Sequence, residues 1–257
     1  MRICAAAIAL LSCLLIQSSR GQTITNEYYE LSQYQGIDPS RMGELDAYFE
    51  KALLPALQRQ GIENVGVFAE SAPAGDKTSM YVLLTLKDAQ QVAGYRDALA
   101  KDAEFQKAAE AYLATDPKAP VFQRIRSELL LAFDCMPKLK VPAQKQANKD
   151  RLFELRVYES STERMGTLKV EMFNKGEVPI FLDSGIQPVF FGQCVVGDRL
   201  PNLTYMTVYD NSEIRDAGWK KFLAHPDWKV LSGVEKYKGT VSKIHKTDLL
   251  PRPYSQL

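Results

Sequence analysis

Apolar and polar residues alternate one for one in two short stretches of the chain that echo each other. Phe153, Glu154, Leu155, Arg156, Val157 and Tyr158 form one, and Tyr29, Glu30, Leu31, Ser32, Gln33 and Tyr34 the other. A period of two sends successive side chains to opposite faces, so both stretches read as β-strands. Beyond each strand the period lengthens. Met42, Leu45, Phe49, Ala52, Leu53, Ala56 and Leu57 form one apolar helical stripe, opened by Asp38 as a cap and Pro39 in the first turn. In the later copy Ser160 and Glu163 read as a capping-box pair before Met165, Leu168, Met172 and Phe173. Gly61 and Gly185 close these helices. Strands follow at Val65 to Glu70 and Val189 to Val196, and hairpins lead into Met80 to Leu86 and Leu203 to Tyr209. Asp88 and Asn211 are good caps for second helices. Final strands are predicted at Arg124 to Phe133 and Thr240 to His245.

The element order is therefore βαββαβ, twice, and the repeat has a fixed offset of 124 residues: Glu30 to Glu154, Gly61 to Gly185, Val65 to Val189, Tyr81 to Tyr205, Gly94 to Gly218. The copies span residues 24–136 and 151–250, with a lysine-rich linker at 137–150 and a short tail at 251–257. Each copy is an α+β ferredoxin-like plait, whose helices cover one face of a four-stranded sheet. The uncovered faces need burial, and packing them together gives a dimeric α/β barrel within one chain. On this reading the apolar strand faces meet the helices. Glu30, Ser32, Tyr34, Glu154, Arg156 and Tyr158 then point into the barrel, joined from the third strands by Tyr81, Thr85, Tyr205, Thr207 and Tyr209.

Composition narrows the setting. The chain has 257 residues, 46% of them hydrophobic and 25% charged, as in ordinary globular proteins. Residues 1–21 stand apart: Arg2, an apolar run from Ala5 to Ile16, then small residues at Ser19 and Gly21, the layout of a secretory signal peptide. An exported, periplasmic or extracellular protein is expected, with no membrane segment once the leader is removed. Without Arg2 and Arg20 there remain 30 basic and 31 acidic residues, which offers no footprint for nucleic acid. Cys135 and Cys194 remain in the exported part and could meet at the barrel seam as a disulfide, or stay as separate thiols.

The strand Phe153 to Tyr158, the Arg-Met-Gly triplets at Arg41 and Arg164, Pro55 and Pro179 before Gly-Ile, Leu129 to Pro137, and Leu249 to Ser255 together resemble the NIPSNAP family, in particular its exported bacterial members with two tandem domains. The resemblance implies the dimeric α/β barrel fold, which is shared with antibiotic-biosynthesis monooxygenases, muconolactone isomerases and the haem-binding chlorite dismutases and dye-decolourising peroxidases. It implies no established activity for the exported members. Eukaryotic relatives are mitochondrial and are associated with protein interaction and mitophagy. A shared fold does not carry chemistry with it.

The residues themselves exclude several classes. There is no phosphate-binding glycine loop, no nucleophile elbow and no spaced cluster of metal ligands. His225, before Pro226, reads as a turn residue. His245 could face a cavity as a haem ligand, but nothing else marks a haem pocket, so no cofactor and no metal are expected. The cavity candidates are Glu30, Tyr34, Tyr81, Glu154, Arg156, Tyr158 and Tyr205. Arg156 could hold a carboxylate or enolate with Glu154 as base and Tyr158 as donor, or Glu154 and Arg156 could pair and simply fill space. The expectation is a ligand-binding or protein-interaction module, with a small-molecule ligand or a protein partner, a homo-oligomer included. The alternative is a small-molecule enzyme, a cofactor-free oxygenase or isomerase, or a haem protein.

Overall fold

Alternation and helical period translate directly into elements along the first half. The structure, a computed structural model, describes residues 25–73, 75–143 and 151–257. The leader expected at residues 1–21 and the linker residues 144–150 lie outside the described residues. Strand β1 (Tyr28–Ile37) runs into a 3₁₀ turn at Pro39–Arg41, capped by Asp38, whose side chain accepts from the Ser40 amide. Helices α1 (Met42–Tyr48) and α2 (Leu54–Arg59) flank a π-helical turn, Phe49–Leu53. Strands β2 (Gly66–Glu70) and β3 (Thr78–Leu86) form the hairpin. The second helical region is two helices, α3 (Ala89–Lys101) and α4 (Ala103–Leu113), before β4 (Arg124–Ala132). Asp102 separates them and caps α4 by accepting from the Phe105 amide, a break the apolar spacing alone does not announce.

The second half repeats the design as β5 (Leu152–Glu159), α5 (Glu163–Met172), a π-helical turn at Phe173–Glu177, α6 (Val178–Asp183), β6 (Gln187–Val196), β7 (Asn202–Tyr209), α7 (Ser212–Ala224), α8 (Pro226–Gly233) and β8 (Lys243–Pro251). Each π-helical turn precedes a proline, Pro55 or Pro179, which lacks the N–H that a continuous α-helix would use. Two local expectations are corrected, while His225 sits in the turn between α7 and α8 as expected. Thr162, rather than Ser160, caps α5 by accepting from the Met165 amide, while the Ser160 hydroxyl donates to the Thr240 carbonyl. His225 is the cap of α8. The last strand starts at Lys243 and reaches Pro251 instead of ending at His245, because β5 pairs with it from Phe153↔Leu249 to Glu159↔Lys243.

All eight strands are antiparallel and close into one barrel in the order β1-β3-β2-β8-β5-β7-β6-β4. The halves join at two seams, β2 with β8 and β4 with β6. The expected dimeric α/β barrel is present, folded within one chain.

The facing of the strands is the reverse of the expectation. The barrel interior is the apolar row: Tyr29, Leu31, Phe153, Leu155, Phe68, Leu83, Phe190, Met206 and Leu249 pack there. Glu30, Tyr34, Glu154, Arg156, Tyr158 and Tyr205 turn outward to the helices: Tyr34 joins the helix-side core of the first half, Tyr158 and Tyr205 that of the second, and Glu30, Glu154 and Arg156 bond to groups on the neighbouring helices. The cause is volume. Eight inward rows converge on one axis where unpaired charge would be costly to bury, while the helices carry their own partners for it. Tyr81 alone of the seven candidates faces inward. Tyr81 and Tyr205 part company because Glu30 pairs with Leu84 but Glu154 with Thr207, so the offset is one residue shorter on the third strands. A slip of one exchanges the faces.

The tail is part of the barrel. The Arg252 amide donates to the Val67 carbonyl and the Gln256 amide to that of Val65, while the Ser255 hydroxyl accepts from the Val67 amide. Leu257 is buried at the apolar end of the interior, and Arg151 donates to its carbonyl at 2.8 Å. Cys135 and Cys194 are free thiols: Cys194 is buried opposite Leu130, whereas Cys135 is exposed in the turn beyond β4, its amide held by Asn174 Oδ1. Burial pushes the Cys194 thiol up to about 12.

Candidate functional site

A cavity of about 1150 Å³ runs from between the outer face of the second half-sheet and helices α5 and α7 across the β2–β8 seam to Glu70, Ser71, Lys77 and Ser79 of the first half. Strand alternation supplies its floor: Glu154, Arg156 and Tyr158 are consecutive outward residues of β5. Helix α5 contributes Lys169, the π-helical turn Glu177, α7 Trp219 and Phe222, and α8 Trp228. The chain has two tryptophans, and both line this cavity.

The polar groups form one connected set. Glu154 Oε1 accepts from Arg156 Nε and, at 3.1 Å, from Trp219 Nε1. The guanidinium lies over the Trp219 ring, 3.6 Å from its centroid, an arrangement that favours cation–π attraction. Arg156 Nη1 donates to the Tyr158 hydroxyl at 3.3 Å, and that hydroxyl meets Tyr205 Oη at 2.8 Å. Burial alone would lower the Arg156 pKa, but Tyr205, Glu154 and Tyr158 more than offset it, so the group stays cationic. Burial pushes the Tyr158 and Tyr205 phenols up, and both remain protonated donors at neutral pH.

A second buried pair stands beside the first. Lys169 Nζ donates to Glu177 Oε2 at 2.7 Å, and lies 4.6 Å from the Phe173 ring centroid and 5.7 Å from that of Trp228. Burial pushes the Glu177 carboxyl up, against the pull of Lys169. Arg156 has five N–H groups, of which two are used in these bonds. The remaining donors sit at the floor of a cavity walled by Trp219, Phe222 and Trp228. That is a site for an oxyanion carried on a flat apolar body.

The first half holds the remnant of the same design. Glu30 accepts from Tyr95 Oη at 2.9 Å, and Tyr95 stands at the position that Trp219 holds one repeat later. Here the cation comes from the helix, as Arg96, while Ser32 replaces Arg156 on the strand and bonds Ser127 at 2.6 Å. The cavity, lined also by Tyr34, is reduced to about 340 Å³. Of the expected site residues the structure thus brings Glu154, Arg156, Tyr158 and Tyr205 together. It places Glu30 and Tyr34 in the smaller counterpart and Tyr81 inside the barrel. Sequence reasoning missed Lys169, Glu177, Trp219 and Trp228. The signal for Lys169 was a charge inside the stripe of Met165, Leu168 and Met172, and for Trp219 its match to Tyr95 beside the paired glycines Gly94 and Gly218.

Neither histidine lines the cavity. His225 caps α8, and His245 Nε2 meets Glu159 Oε1 at 2.5 Å on the inward side of β8. The donor set around the cavity therefore does not fit a histidine-ligated haem. Among the described residues no group of three or more His, Cys, Asp and Glu side chains could hold a metal ion, and no helix is long and apolar enough to cross a membrane.

Two plaits sharing one closed sheet define a dimeric α/β barrel made from a single polypeptide. The NIPSNAP family model matches residues 29–134 and again 153–256, and the chain belongs to the NIPSNAP family. Comparison with curated proteins returns no match. Among solved structures the chain is similar to a candidate monooxygenase from Fusobacterium nucleatum, with 10% identity, a TM-score of 0.59, and 88% of this chain and 93% of that one covered. A candidate monooxygenase from Lactobacillus acidophilus superposes with a TM-score of 0.55 at 12% identity over 88% of this chain and 94% of that one. A candidate chlorite dismutase gives 0.52 at 9% identity over 90% and 97%. At such identities the likeness establishes the fold.

Proposed function

We propose that this protein is a binding module for a small organic anion with a flat apolar body, held between the sheet and helices of its second half. One observation carries the reading: the Arg156 guanidinium, stacked on Trp219 and oriented by Glu154, keeps unused donors at the floor of the 1150 Å³ cavity. The carboxylate of such a ligand meets those donors as a charge-assisted hydrogen bond, and its body meets Trp228 and Phe222. Lys169, neutralised by Glu177, adds polarity without a net charge. Export under the leader at residues 1–21 belongs to the same proposal, and sequencing the N-terminus of the mature protein tests it.

Titration with benzoate and naphthoate, followed by tryptophan emission, tests the binding reading, with benzamide as the neutral control. Saturable quenching by the acids, weakened about tenfold or more in Arg156→Met, is expected. Equal response to acid and amide, or no response, contradicts it.

A second reading makes the site catalytic, as a cofactor-free oxygenase or isomerase. What favours it is the pair Tyr158 and Tyr205, buried, protonated and beside Arg156, which would stabilise an enolate oxygen while Glu154 takes a proton. Proton exchange at the α-carbon of a bound keto acid, seen by NMR and lost in Glu154→Gln, tests that reading.

A further inference from the structure

The inward rows of the barrel change character along its axis. At one end Tyr29, Phe153, Val208 and Leu249 pack against Leu257. Farther along the same rows come Gln33, Glu128, Thr204 and His245, and the interior opens into a separate cavity of about 290 Å³. That volume lies at the lower bound for small-molecule sites.

Glu128 gives this mouth its chemistry. Its carboxylate accepts from Thr204 Oγ1 at 3.2 Å, and among the described residues no lysine or arginine forms an ion pair with it. Burial pushes its pKa up and nearby Asp198 adds to the rise, while the Thr204 hydrogen bond and the charges of Arg199 and His245 pull the other way. The neighbouring charges are matched: Arg126 bridges Asp198 at 3.2 Å, His245 meets Glu159, and Tyr81 donates to Glu70 at 3.1 Å. One cation in the lining is held more loosely. Arg199 pairs with Asp198 only at the long distance of 4.0 Å, whereas Lys246, opposite Arg156 in the β5–β8 ladder, belongs to the outward row of β8. Arg199 is also held at a φ of 59°, a left-handed conformation unusual for a residue with a side chain.

We infer that the polar mouth of the barrel is a second binding site, for a small zwitterion of the amino-acid type: its ammonium group supplies the contacting cation that Glu128 lacks, and its carboxylate meets Arg199. The ligand needs both charges, because the mouth presents an acid with no cation in contact and a base held only by a long ion pair. The site is independent of the tryptophan cavity in its anchor, since Glu128 lines only the mouth and Trp219 only the larger cavity. The two cavities meet at Glu70, Lys246 and Thr247.

Calorimetric titration of the full chain with L-alanine, L-glutamine and L-arginine tests this, with methylamine and acetate as single-charge controls. At least one amino acid is expected to bind with a Kd of about 1 mM or tighter. Glu128→Gln and Arg199→Gln should each weaken it about tenfold or more while leaving tryptophan quenching by benzoate unchanged. No binding by any amino acid overturns the proposal. So does binding unaffected by whichever of the two variants folds, or methylamine binding as tightly as the amino acids.

Discussion

Arg156 has three partners and few rivals for them. Its Nε holds Glu154, its face rests on Trp219, and one Nη1 proton goes to Tyr158. Removing it leaves a buried carboxylate with only the indole for company, so Arg156→Ala should cost about 3–5 kcal/mol in chemical denaturation. A variant that keeps the volume and removes both charges, Arg156→Met with Glu154→Gln, should cost far less. In the first half Tyr95→Phe takes the hydroxyl from Glu30, and a loss of about 1–3 kcal/mol is expected. Glu177 sets a pH dependence whose sign follows from its burial. Its folded-state pKa is raised, so the folded protein holds this proton more tightly than the unfolded chain does. The stabilisation is complete below the unfolded value of about 4.3 and is lost as pH rises through the folded one. Thermal midpoints measured upward from pH 4 should show that decline flattened in Glu177→Gln.

Elements repeat in the two halves while their packing differs, and the paired glycines show it. Gly94 of α3 has open space where a Cβ would stand; at Gly218 of α7 that Cβ would lie 3.1 Å from Ile186 Cγ1. Gly94→Ala should therefore stabilise the protein by roughly 0.5–1 kcal/mol, the helix-propensity gain, whereas Gly218→Ala should gain less or lose. Thermal melts of the two variants separate the cases. The last residues act as a plug: Leu257→Ala empties a buried position at the apolar end of the barrel and should cost about 2–5 kcal/mol.

At the scale of the molecule, the order of elements, the duplication and the closed barrel were legible in the sequence, because alternation, helical stripes and paired glycines are local signals. Which strand face looks inward was not. Glu154, Arg156 and Tyr158 alternate with apolar residues equally well in either orientation, and the choice depends on what the helices bring. Lys169, Glu177 and Trp219 supply those partners, and the sequence marks them faintly: Lys169 as a charge within an apolar stripe, Trp219 by its match to Tyr95, and Glu177 by nothing of its own. The slip that separates Tyr81 from Tyr205 is likewise a one-residue matter that a constant offset hides. Closure also depends on both halves, since each supplies one strand to each seam.

The direct measurement is the proton NMR spectrum of the two indole N–H groups during titration with naphthoate. Trp219 Nε1 is bonded to Glu154 and its ring lies under Arg156. A saturable shift of the Trp219 resonance, assigned through Trp219→Phe and lost in Arg156→Met, is expected. Naphthoate binding that leaves both indole signals in place would contradict the helix-side site.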